Sequence, residues 1–160
     1  MSLVGFKAQN HPQQKRKDKV DDRAITLQDF LPLHERFRFT IDMAASKENA
    51  RLPRYWTAKE DALSKSWAGE RVWCNPPYSD IRTWVDKAWI EFNSPDAPEL
   101  IVMLLPANRT EQAWWQDMVE PYLRQPESVL RVEFLRGRMR FERPNAVIGP
   151  KGDRPPFGCC

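Results

Sequence analysis

The stretch Arg71-Val-Trp-Cys-Asn-Pro-Pro-Tyr78 limits the possible folds more than any other part of this chain. A short apolar run over Arg71–Cys74 is cut off by two adjacent prolines, which have no N–H to give to a strand ladder. Just beyond, Ile81, Trp84, Val85, Ala88, Trp89 and Phe92 fall three and four residues apart. That spacing predicts an amphipathic helix over 79–92, with Ser79 as its N-cap. After the breaker Ser-Pro-Asp-Ala-Pro-Glu, the continuous apolar run Leu-Ile-Val-Met-Leu-Leu-Pro-Ala over 100–107 reads as a strand buried on both faces. Strand, helix and strand in this order imply a crossover between parallel neighbours. Sheets built that way bind ligands at the carboxyl ends of their strands.

The rest of the chain extends the pattern. Thr26 is a candidate N-cap for a short helix over 26–33. Phe37, Phe39 and Ile41 alternate with Arg36, Arg38 and Thr40, which predicts a strand ending at Asp42. Small residues Ala44, Ala45 and Ser46 follow. A short helix is expected around 57–65, a longer one over 110–123, and two strands joined near Gly137 in the run from Ser128 to Pro144. The expected fold is α/β, with a mostly parallel sheet flanked by helices. The polar stretch 1–22, carrying Lys15, Arg16, Lys17 and Lys19, reads as a solvated basic arm or as a phosphate-contacting one, and 23–160 as a single domain.

Composition narrows the function classes. At 160 residues with 41% hydrophobic content, the chain can pack one core. A net charge of +3 does not by itself argue for nucleic acid. Cys74, Cys159 and Cys160 form no Cys-x-x-Cys pair and lie far from His34, so neither a zinc site nor a disulfide framework is expected. The longest apolar run, 100–107, is too short to span a bilayer. No membrane association and a cytoplasmic location are the expectations.

The Asn-Pro-Pro-Tyr turn carries specific chemistry. Asn75 offers one acceptor oxygen and two donor hydrogens. Pro76 keeps its carbonyl as an acceptor, and the ring of Pro77 restrains the backbone that holds it. Tyr78 supplies an aromatic plate. Two acceptors beside such a plate suit a planar group bearing an amine, and the exocyclic amine of adenine is one. Its nitrogen lone pair is delocalised into the ring. Holding both amine hydrogens favours a pyramidal nitrogen whose lone pair points at an electrophile. A base inside a duplex cannot enter such a site without being extruded.

Four blocks in this order, "FTIDMAASKENA", "VWCNPPYSDIRTWVDKA", "IVMLLPA" and "LRGRMRF", resemble the phage N-6-adenine DNA methyltransferases, the Dam-like enzymes of bacteriophages and prophages. The similarity runs from about residue 26 to the end. The resemblance implies a Rossmann-like methyltransferase fold, S-adenosylmethionine as cofactor and double-stranded DNA with a flipped adenine as partner, in a bacterial host. It implies catalytic roles for Asn75, Pro76, Pro77 and Tyr78. It also implies cofactor-binding roles for Asp42 and Ala44 in "DMAAS", for Asp61 in "EDAL" and for Thr26 in the N-terminal segment. No metal is implied, because the sulfonium already carries an activated methyl group.

The sequence departs from the family in three places. "DMAAS" has no glycine, so Ala44 and Ala45 serve there by being small. The Trp and Thr-Pro often found near the start are missing around Thr26. The chain stops at "PPFGCC", where one more apolar strand is expected, which raises the expectation of a truncated C-terminus and an exposed sheet edge. Two other readings stay open: a methyltransferase acting on RNA or on a protein glutamine, and an inactive DNA-binding remnant of a prophage. Candidate specificity segments are "KENARLPRYW" and "RGRMRFERP"; in the latter, Arg136, Arg138, Arg140 and Arg143 either contact phosphate or face solvent as strand residues.

Overall fold

The computed structural model describes residues 23–142 and 159–160, so the basic arm over 1–22 lies outside the described residues. A three-stranded parallel sheet forms the centre, in the order β2 (Ile41–Asp42), β3 (Arg71–Cys74) and β4 (Leu100–Met103). Ile41 lies beside Val72, and Trp73 beside Val102. A second, two-stranded antiparallel sheet pairs β1 (Ala24–Ile25) with β5 (Phe141–Glu142).

Side chains on β3 alternate between the two faces, and both faces are covered. Trp73 points into a cluster with Ile25, Phe30, Phe39, Leu104 and Phe141, where helix α1 (Leu27–Phe37) contributes Phe30 edge-on to the indole at 5.4 Å. Val72 and Cys74 point the other way, to Ile41, Met43, Trp67 and Trp84. Trp84 belongs to helix α2 (Ile81–Phe92) and is only 9% exposed, as the apolar stripe requires. The next turns of that stripe, Ile81 and Val85, pack on Trp114, Trp115 and Val119. The strand, the crossover helix and the second parallel strand are thus the expected ones.

Several elements differ from expectation. The alternating run over 36–41 is not one strand. Helix α1 continues through the exposed Pro32 to Phe37, and Arg38 closes it in a left-handed conformation (φ 53°), its N–H bonding the His34 carbonyl at 2.8 Å. Only Ile41–Asp42 then pairs in the sheet. The N-cap of α2 is Asp80, one residue after Ser79, because a turn bond from Asp80 N–H to the Pro77 carbonyl (3.1 Å) comes first. The expected helix over 57–65 shrinks to a 3₁₀ turn at Ala62–Ser64.

The helix expected over 110–123 is split into α3 (Ala113–Met118) and α4 (Glu120–Leu123), where Pro121 cannot continue the hydrogen-bond ladder. Strand β4 is half-buried rather than fully buried. Of the two strands expected around Gly137, only Phe141–Glu142 forms. At the chain's end, Cys160 exchanges backbone bonds with Leu105 at 2.8 and 2.9 Å, so this stretch beyond β4 is paired rather than exposed.

Candidate active site at the ends of β2 and β3

Asp42 ends β2 and Asn75 follows β3; the register sets Asp42 beside Trp73, two residues before Asn75, so both stand at the carboxyl edge of neighbouring parallel strands. Both line one small cleft with Arg23, Ala24, Ile25, Ala44, Asn49, Arg51 and Trp73. Ala44, two residues beyond the strand end, contributes little bulk to this wall.

Asn75 is held by its amide nitrogen, which donates to the Arg23 carbonyl at 2.8 Å. Its side-chain oxygen is buried and accepts nothing among the described residues. A buried acceptor without a donor costs about 1–3 kcal/mol, so such an atom points to a ligand hydrogen or to water. The acceptor expected of this turn therefore stands at the cleft with its lone pairs uncommitted.

Asp42 is 3% exposed. One carboxylate oxygen accepts the Arg51 N–H at 3.1 Å and the other the Ala44 N–H at a long 3.4 Å. Burial pushes its pKa up to about 6, against the pull of those two N–H groups and of the Arg51 charge. The backbone on its other side is fixed as well: Asp42 N–H bonds the Arg54 carbonyl, and Trp56 N–H bonds the Asp42 carbonyl. The segment "KENARLPRYW" thus acts as an irregular edge to β2.

After Asn75 the chain turns away. Pro76 is buried, while Pro77 and Tyr78 are half-buried. The Tyr78 ring meets Phe141 edge-on at 6.5 Å, and its hydroxyl lies 4.0 Å from the Cys159 sulfur. Burial raises the phenol well above its ordinary pKa, with the neighbouring Cys159 adding to the effect, so it stays protonated at neutral pH. The ring is partly a wall of the core, not only a free stacking plate.

Of the residues singled out from sequence, the cleft brings together Asp42, Ala44 and Asn75. Thr26 is not in the lining; its hydroxyl caps α1 by accepting the Asp29 N–H at 3.3 Å, although its neighbours Ala24 and Ile25 do line the cleft. Asp61 also lies outside the lining, exposed and in a left-handed conformation (φ 53°) before the 3₁₀ turn.

Two arginines that the sequence did not single out matter here. Arg51 gives its N–H to Asp42 and its guanidinium to the Ile25 carbonyl (2.6 Å) and to Glu142. Arg109, in the loop after β4, donates to the Tyr78 carbonyl at 2.8 Å and so ties the Asn-Pro-Pro-Tyr turn to the next strand's loop. Nothing in their local sequence marks either contact. The sole signal is position, since Arg109 follows a predicted strand end by two residues and Arg51 by nine.

The sequence profile of DNA N-6-adenine-methyltransferase (Dam) matches residues 13–152, most of the chain and all of this site. The chain belongs to that family. Among curated proteins it is 34% identical over 83 residues to a DNA N-6-adenine-methyltransferase of Escherichia phage T1, covering 50% of this chain and 32% of that one. It is 30% identical over 81 residues to the DNA N-6-adenine-methyltransferase of Haemophilus phage HP1 (strain HP1c1), covering 51% of this chain and 44% of the relative. The chain thus spans less than half the length of these relatives. No solved structure matches it.

Proposed function

We propose that this chain transfers a methyl group from S-adenosylmethionine to the N-6 amine of adenine in DNA, acting on a base extruded from the duplex. The observation that carries the reading is the buried oxygen of Asn75, without a partner among the described residues, at the head of the Asn-Pro-Pro-Tyr turn. Family membership and the similarity to two phage adenine methyltransferases support it. A parallel sheet with its site at the carboxyl ends supports a Rossmann-like arrangement; we take 23–160 as one domain and place its work in the cytoplasm of a bacterial host.

The residues suit the cofactor. Asp42 is a buried acceptor with lone pairs beyond the two N–H bonds it receives, Ala44 keeps the wall beside it low, and Asn75 lines the same cleft. When bound, S-adenosylmethionine supplies an electrophilic methyl group. The Asn75 oxygen accepts one amine hydrogen of the target base, and the Pro76 carbonyl accepts the other. The bond from Asn75 to the Arg23 carbonyl fixes which end of the amide faces the amine. Tyr78 packs the base with its open surface, while Arg109 keeps the turn from rotating. Asp42 orients a polar, hydrogen-donating part of the cofactor. The Asn75 and Pro76 hydrogen bonds orient the amine before transfer and strengthen as its nitrogen gains positive charge on taking the methyl, so the site acts by orientation and by matching the transition state; the methylated nitrogen then gives up one proton and returns to neutrality.

The test is incubation with isotopically labelled S-adenosylmethionine and mixed-sequence duplex DNA, followed by nucleoside mass spectrometry. Label on N-6 of adenine is the expected result. Label on RNA or protein in preference to DNA moves the reading to another acceptor, and no cofactor binding at all removes the enzyme reading.

A further inference from the structure

Three of the five charged residues from Glu133 to Glu142 are tied down. Glu133 receives both guanidinium nitrogens of Arg36, at 2.6 and 2.7 Å. Arg140 makes three contacts to the Asp29 carboxylate through its backbone and side chain, the shortest 2.7 Å. Glu142 pairs with Arg51. Two charged residues remain, Arg136 and Arg138; both are exposed and neither makes an ion pair or side-chain hydrogen bond among the described residues.

The fold ties the bend that carries these two cations to Tyr78 of the Asn-Pro-Pro-Tyr turn. Leu135 and Met139 pack on the core cluster around Trp73, while Arg136 and Arg138 between them stay outside. Gly137 makes the bend between the arginines with φ 81°, a conformation that a side chain disfavours, although a Cβ there would meet no neighbour. Each end of the bend is anchored one contact from Tyr78. On one side, Leu135 N–H bonds the Cys159 carbonyl at 3.1 Å, and Cys159 touches the Tyr78 hydroxyl. On the other, Phe141 meets the Tyr78 ring.

We infer that Arg136 and Arg138 are a phosphate grip, holding the DNA backbone next to the nucleotide that enters the Asn-Pro-Pro-Tyr site. This rests on the reading of the chain as a DNA adenine methyltransferase. Arg140 is not part of the grip, because Asp29 already neutralises it. A grip of this kind contributes affinity without sequence preference, through counterion release.

The experiment is a salt series of binding to a fluorescent mixed-sequence duplex, using the full chain, the double variant Arg136→Ala/Arg138→Ala, the double variant Arg136→Lys/Arg138→Lys, and Arg140→Ala. Circular dichroism and cofactor titration serve as checks of folding. Two lost phosphate contacts make the slope of log affinity against log salt shallower by about 1.8 in the alanine double variant. The lysine pair restores most of the slope, and Arg140→Ala leaves it unchanged while lowering thermal stability. An unchanged slope in the folded alanine variant, or no duplex binding by the unmutated protein, overturns the grip. The parent reading fails separately: a shallower slope with no methyl on adenine leaves the grip in place and removes the activity.

Discussion

A primary amide has a donor end and an acceptor end, and among the described residues Asn75 gives only the donor end to the protein. Asn75→Ala therefore removes the free acceptor and an anchor on Arg23, yet no core packing. The expected outcome is a fall in methyl transfer of about 10²–10³, by analogy with the loss of one oriented donor from an oxyanion hole, with cofactor affinity unchanged. Single-turnover kinetics on adenine-containing duplex checks this, and near-normal turnover refutes the role.

Asp42 makes a pH prediction. Its pKa of about 6 lies above the usual aspartate value of about 3.9, so between those two values the folded state holds a proton that the unfolded state has lost. Its contribution to stability is fully present below the lower value and is lost as pH rises through about 6. A cofactor that donates hydrogen bonds to Asp42 prefers the carboxylate, so affinity should fall roughly tenfold from pH 7 to pH 5. Calorimetry with Asp42→Asn should show weaker binding with this pH dependence gone. An unchanged affinity in that variant excludes Asp42 from the cofactor site.

Among the elements, α2 shows most directly how a helix is fixed by both of its faces. Its apolar side is legible because Ile81, Trp84 and Val85 repeat at helical spacing, and burial of Trp84 follows. Its polar side is not legible. Glu91 is only 7% exposed, accepts the Trp67 N–H at 2.8 Å and pairs with Lys87. Burial alone would raise its pKa, but Lys87 and the Trp67 N–H outweigh that and hold it low. Glu91→Ala leaves the buried Trp67 N–H without its acceptor and the mostly buried Lys87 ammonium with the Lys65 carbonyl but no counter-charge, a loss of about 2–4 kcal/mol, while Glu91→Gln should lose less by keeping an acceptor. Urea unfolding midpoints measure both; equal, negligible shifts would mean that water replaces the carboxylate.

The run over 36–41 departs from its pattern for a related reason. Period two marks an extended chain, but Phe37 and Phe39 reach the same aromatic cluster from the last helical turn and from the residue after the cap, at 5.8 Å from each other. Alternation in sequence does not distinguish a strand from a helix end followed by a left-handed cap. The composition of β4 suggests burial on both faces, and its place at the end of the β2-β3-β4 order explains the partial exposure.

For the whole molecule, the cleft exists because distant parts of the chain close on one another. The strand ends are visible in the sequence, and so are Asp42 and Asn75 as the residues at them. The closure is not, because it depends on one side chain reaching across two sheets. Arg51 stands on the loop after β2 and bonds the Ile25 carbonyl in β1 and Glu142 in β5. Its side chain is 10% exposed, whereas Glu142 is 47% exposed, so water offsets part of what the ion pair contributes. The bond to Ile25 is the more protected of the two. Arg51→Met keeps most of the aliphatic volume and the backbone N–H that serves Asp42, and removes the tie together with the positive charge that favours the Asp42 carboxylate. We expect a stability loss of about 1–3 kcal/mol, which at this chain length lowers the melting temperature by about 2–4 °C per kcal/mol. Cofactor affinity should drop as well, since Ala24, Ile25 and Arg23 form the wall that the tie holds against Asp42 and Asn75. Saturating cofactor should recover part of the lost melting temperature by mass action. A variant Glu142→Gln, which breaks only the half-exposed pair, should cost less than Arg51→Met in thermal unfolding. If the two variants lose the same stability, the ion pair rather than the bond to the buried Ile25 carbonyl closes the cleft.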